Sequence, residues 1–133
     1  MDSTKDYLDL VAGERKSVRT NNLTIISKIS LDGKNWADVE VSNISSGGTL
    51  FCSDIILSKG DSIWLDLIIE PVAFISYHAL NIKAQGEVLS DRLVHEHHEH
   101  MTYYAVKFTD ISSDSQTELD MLIHQIMDKY GNN

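Results

Sequence analysis

The sequence predicts a mainly β fold, a six-stranded antiparallel β-barrel with a C-terminal α-helix, and three observations carry that expectation. From Leu23 onward, short β-branched and apolar runs alternate with turn residues, as strands of a small antiparallel barrel do. Near the C-terminus the period switches, and Leu119, Leu122, Ile123, Ile126, Met127 and Tyr130 fall at three-and-four spacing on one helical face. The whole is 133 residues, 42% hydrophobic and 23% charged, enough for one compact core and little more.

Taken in order, residues 1–22 mix charge, Gly13 and the polar run Arg19-Thr20-Asn21-Asn22 without an apolar period, and read as a flexible leader ahead of a single domain over 23–133. Leu23 to Leu31 is a first strand, and Asp32-Gly33-Lys34-Asn35 turns it into a second, Trp36 to Ser42, through a tight hairpin. Thr49 to Ser53 is the third. Ser58-Lys59-Gly60-Asp61 leads into the fourth, Ile63 to Glu70, which Pro71 ends because it has no ladder donor. Leu80 to Ser90 and Met101 to Thr109 make a long hairpin across a histidine-rich link. Ser115 and Glu118 match a capping box for the helix, whose stripe is expected to bury against the open end of the barrel.

Composition narrows the function. A formal net charge of -9 disfavours a general nucleic-acid binder, which neutralises phosphates with basic side chains, so an anionic ligand has to be met locally. The single cysteine, Cys52, makes no internal disulfide and points to a reducing, cytoplasmic setting; in its apolar strand it reads as a buried small hydrophobe. The apolar stretch from Ile63 to Tyr77 is interrupted by Asp66, Glu70 and Pro71, so no membrane span is expected. No nucleophile elbow, phosphate-binding glycine loop or metalloprotease signature points to an enzyme. His95-Glu96-His97-His98-Glu99-His100 offers imidazoles and carboxylates, but in a hairpin link alternate residues face opposite ways, and the run reads as a solvated loop before it reads as a metal site.

Two constellations remain. Arg15 and Arg19, two of the three arginines, stand four apart just upstream of the first strand. Guanidinium groups meet phosphate or the guanine O6/N7 edge with bidentate donor forks and also stack on bases. Alone, such a pair reads as solvated charge. The second constellation is Asn43-Ile44-Ser45-Ser46-Gly47-Gly48, in which Asn43, Ser45 and Gly48 fit Asp/Asn-x-Ser-x-x-Gly. An amide can accept from a base N–H, a hydroxyl can donate to phosphate, and glycines allow close approach to the backbone. Alone, this is a polar strand-to-strand turn.

Together, in this order and on a barrel pattern, the two motifs resemble the PilZ domain family, receptors for the bacterial second messenger cyclic di-GMP, with the likeness running from about Gly13 to Tyr130. The resemblance implies that Arg15 and Arg19 wrap the ligand, that Asn43, Ser45 and Gly48 lie on the barrel surface beneath it, and that no cofactor beyond this ligand is needed. It implies a non-catalytic switch acting through a downstream protein partner, in control of motility, biofilm or virulence. Many members carry a further arginine directly before the first motif arginine; here that position is Glu14. A ligand-independent interaction module of the same fold is the alternative.

Overall fold

The computed structural model describes residues 17–19, 23–94 and 101–130, with backbone alone for 17–19, 90–94 and 101. The elements are β1 (Ser17–Arg19), β2 (Ile25–Ser30), β3 (Trp36–Ser45), β4 (Gly48–Ser53), β5 (Ser62–Ile69), β6 (Leu80–Val94), β7 (Met101–Ile111) and α1 (Ser113–Tyr130). All strand pairings are antiparallel, in the order β1-β3-β2-β5-β6-β7-β4, with an additional β3–β4 pairing. That last pairing closes β2 to β7 into the expected six-stranded barrel, removing the open edges a sheet of this size would leave.

Strand β3 makes the closure possible by changing partners along its length. Its first residues, Trp36 to Val39, pair with β2, and Glu40 to Ser45 pair with β4 across a bulge between Val41 and Asn43. The edge left free beyond β2 is taken by β1, with Ser17 opposite Ser45, Val18 opposite Ile44 and Arg19 opposite Asn43. Three residues within the segment read as a leader are therefore a strand. Two-residue alternation supplies the core: Ile63, Leu65, Leu67 and Ile69 of β5 and Ile82 and Val88 of β6 are at most 1% exposed, and Leu119, Leu122, Ile123 and Ile126 of α1 join the same cluster.

Several boundaries differ from the sequence expectation. The β2–β3 connection is a five-residue loop, from Leu31 to Asn35, one residue longer than the Asp32–Asn35 turn read from the sequence. The Asp32 carboxylate organises it: Oδ1 accepts from Ser30 Oγ and from the amides of Lys34 and Asn35, and Oδ2 accepts from Asn35 Nδ2. Gly33 takes the left-handed φ of 77° that this path requires. The helix starts earlier than the capping box implied. Ser112 is its cap, with Oγ accepting from the Ser115 amide, which places Ser115 inside the first turn. At the other end Tyr130 is 39% exposed, because the buried stripe leaves the barrel after Ile126 and Met127. The Ser58–Asp61 turn and the end of β5 before Pro71 are as read. The histidine run, 95–100, lies outside the described residues.

Tyr104 and Gly86 show how tightly the ring is filled. The Tyr104 hydroxyl donates to Ile55 O at 2.7 Å and accepts from the Leu57 amide at 2.9 Å, pinning the loop after β4 from inside. At the β6 bulge, a Cβ on Gly86 would come within 2.5 Å of Val106 Cγ1 and 3.0 Å of the Lys107 carbonyl oxygen. Overpacking of this kind costs typically about 1–3 kcal/mol, so Gly86→Ala will lower the unfolding free energy by that order in urea denaturation followed by circular dichroism. The hydrogen bonds to Asp32 hold its carboxyl well below its ordinary pKa of 3.8. Its stabilising contribution is complete above that ordinary value and is lost only as pH falls through the depressed one. A carboxyl carbon NMR titration will accordingly find Asp32 still ionised, and the loop intact, at pH values below 3.8.

Candidate functional site

The β3–β4 hairpin builds the second motif. Ser45 pairs with Gly48, leaving Ser46 and Gly47 as a two-residue turn, and neither adopts the positive φ that such hairpins usually need. A side chain does the work instead. Ser45 Oγ accepts from the amides of Gly47 and Gly48, both at 3.1 Å, and donates to Gly48 O at 3.3 Å. Its donor and both acceptor sites are thereby used within the turn. Ser45, 0% exposed, holds the turn in this structure.

Asn43 is the contrasting case. Its carbonyl accepts from Thr49 Oγ1 at 2.8 Å, which fixes the backbone just after the bulge. Its side-chain Oδ1 is buried and has no hydrogen-bond partner among the described residues. An amide oxygen in that condition is a preformed acceptor awaiting a donor, since leaving it unsatisfied costs about 1–3 kcal/mol. Asn43 is 3% exposed and Gly48 is also buried, so this part of the motif is inset and not displayed on the surface.

Around Asn43 lies a feature the motif did not contain. Asn43, Leu50 and Ala105 are register neighbours across β3, β4 and β7, and Leu50 and Ala105 pack with Tyr103 in an apolar cluster separate from the core. Ile44 and Val106, one residue along, belong to the core, so this cluster occupies the opposite, outer face of the sheet. Strand alternation carried the signal: with Phe51 directed inward, Leu50 has to face out.

The first motif is brought to the second by backbone alone. Antiparallel register sets Arg19 directly opposite Asn43, 24 positions away in sequence, and Ser17 opposite Ser45. Glu14 and Arg15 lie outside the described residues. The turn is also tied to the helix, since Ser46 Oγ donates to Asp120 Oδ1 at 3.2 Å and Gln116 Nε2 donates to Ser46 O at 2.9 Å. Cys52 is 4% exposed, and burial, with Glu40 opposite it on β3, raises its thiol above the ordinary 9.0, as suits a packing residue.

A barrel closed through a bulged β3, with an Arg-x-x-x-Arg segment leading onto the edge of an Asn-x-Ser-x-x-Gly hairpin, defines a PilZ-type domain. The family model for the PilZ domain matches residues 14–125, and the chain belongs to that family. Its fold is similar to the Bacillus subtilis inhibitor of motility MotI/DgrA, at TM-score 0.62 and 21% identity over 87% of this chain and 53% of that one. It is also similar to the PilZ domain of YcgR from Escherichia coli, solved with c-di-GMP, at TM-score 0.56 and 12% identity over 86% and 89% of the two chains. MrkH, described as a c-di-GMP-dependent transcription regulatory factor, gives TM-score 0.57 and 13% identity over 86% and 49%. The chain thus spans about half the length of MotI/DgrA and of MrkH. No curated protein sequence matches it.

Replacing Ser45 by alanine leaves the amides of Gly47 and Gly48 without their acceptor in a buried turn. Ser45→Ala will therefore lower stability by about 1–3 kcal/mol and speed amide exchange at Gly47 and Gly48. A merely surface-exposed serine would show neither change.

Proposed function

We propose that this protein is a cyclic di-GMP receptor that works without catalysis and signals through a protein partner. The observation that carries the reading is the β1–β3 register, which sets Arg19, the described arginine of the first motif, opposite Asn43 of the second. Family membership and the c-di-GMP named for the YcgR PilZ domain support the same ligand.

In this reading Arg15 and Arg19 meet the phosphates and guanine edges with bidentate donors, and Asn43 Oδ1 accepts from a guanine N–H. Ser45 holds the turn, and Gly48 lets the ligand approach the backbone. The leader before β1 closes over the ligand and presents a new surface, and the partner reads that surface. Family membership and the likeness to an inhibitor of motility support a role in motility, biofilm or virulence control in a bacterial cytoplasm.

Glu14, beside Arg15 in sequence, sets a carboxylate next to the first motif arginine and weakens attraction for phosphate, so micromolar affinity is expected, and calorimetry decides between one ligand and a stacked pair. Isothermal titration calorimetry with cyclic di-GMP, with GTP and cyclic GMP as controls, tests this. Saturable binding to cyclic di-GMP alone is expected, lost in Arg15→Ala and Arg19→Ala while the melting temperature stays nearly constant, since alanine keeps the β1 backbone pairing. Glu14→Arg is expected to tighten binding by about tenfold. Absence of heat from the wild-type chain, with no thermal shift at millimolar ligand, leaves the ligand-independent interaction module as the correct reading.

A further inference from the structure

The outer face of β5 and β6 carries a cavity that the cyclic di-GMP reading does not use. It encloses about 470 Å³, within the usual range for a binding pocket, and Trp36, Trp64, Asp66, Lys83, Gln85 and Asp110 line it. Trp36 and Trp64 are 43% and 37% exposed, two large apolar rings left partly in water on the same wall. Trp64 is backed from behind: a Cβ on Gly33 would lie 3.7 Å from its indole, so the Asp32-organised loop rests against that ring.

The polar lining is unbalanced. Asp66 Oδ1 is buried and has no hydrogen-bond partner among the described residues. Lys28 and Lys83 are its register partners on either side, yet neither forms an ion pair with it. Asp66 and Asp110 outnumber Lys83, and the whole chain carries -9, so the cavity disfavours an anion and favours a cation. An unsatisfied carboxylate oxygen calls for a strong donor, and an indole face attracts a delocalised cation.

We propose that this cavity is a docking pocket for an arginine side chain presented by a partner protein. A guanidinium satisfies both demands at once, because it is planar, stacks on indole and carries five donors for Asp66, Asp110 and the Gln85 carbonyl. An ammonium is more strongly hydrated and stacks poorly, and a neutral sugar stacks but leaves the charge uncompensated. Trp36 also lines an adjoining cavity of about 300 Å³ with Leu31 and Ile55, which takes an apolar neighbour of that arginine. The occupant is thus a short segment pairing arginine with an aliphatic residue. The inference does not depend on cyclic di-GMP, since none of Asn43, Ser45 and Gly48 lines this cavity.

The test titrates the full chain with the blocked peptide Gly-Arg-Leu-Gly and with its lysine and citrulline counterparts, reading tryptophan fluorescence and indole N–H shifts by NMR. The arginine peptide is expected to saturate the response, with the lysine and citrulline peptides about tenfold weaker or more. Asp66→Asn will reduce the affinity by about tenfold while keeping the melting temperature, and Trp64→Phe, which preserves the packing against Gly33, will also weaken it. Equal binding of the citrulline peptide, saturation by maltotriose in its place, or no saturable response up to about 10 mM overturns the proposal. A chain that fails to bind cyclic di-GMP but gives the arginine response leaves the docking pocket standing and removes only the receptor reading.

Discussion

Backbone pairing between residues 40–45 of β3 and 48–52 of β4 turns a curved sheet into a ring. Without it β3 would pair with β2 alone over its first residues, and β4 would be an edge strand beside β7. The bulge between Val41 and Asn43 lets one strand serve two neighbours, since an extra residue bends the strand and increases its local twist. The same bend leaves an unpaired edge at 43–45, which is where β1 docks. Closure, the core and the meeting of the two motifs thus rest on one strand and one irregularity.

The hairpin after that bulge treats its polar atoms in two ways. Ser45 is saturated, with its hydroxyl shared among three backbone groups, and this rigidity replaces the left-handed residues a two-residue turn ordinarily uses. Asn43 Oδ1, two residues earlier, is left without a partner among the described residues. A rigid frame around an unsatisfied acceptor is the arrangement expected of a recognition surface, because the cost of dehydrating the acceptor has already been incurred when a ligand arrives. Asp66 on the outer wall repeats the arrangement beside a different set of neighbours.

The barrel and its helix were legible because the signals are local and periodic: two-residue alternation in β5 and β6, and three-and-four spacing from Leu119 to Ile126. What escaped the sequence depends on partners far along the chain. The strand at Ser17–Arg19 has no pattern of its own and exists because β3 offers an edge. The true cap, Ser112, competes with Ser115 as an equally good cap residue, and only the end of β7 decides between them. The motif residues were legible by type and spacing, but the inset position of Asn43 and Ser45 was not, because it follows from the bulge and from β1. The placement of Trp36 and Trp64 on either side of Ser30, lining one cavity, was hidden for the same reason, as β3 and β5 are joined through β2.

The two hydrogen bonds between Ser46 and α1 tie the motif turn to the helix. Gln116 and Asp120 grip the turn from the first part of an 18-residue rod, and the last residue, Tyr130, lies about 21 Å beyond Gln116 along the axis. At that far end Lys129 sits 4.5 Å over the ring of Phe74. Phe74 is 87% exposed and holds a left-handed φ of 65° that aromatic residues rarely adopt. The helix thus touches the motif turn near its start and a strained, solvent-facing aromatic near its end, each through side-chain contacts.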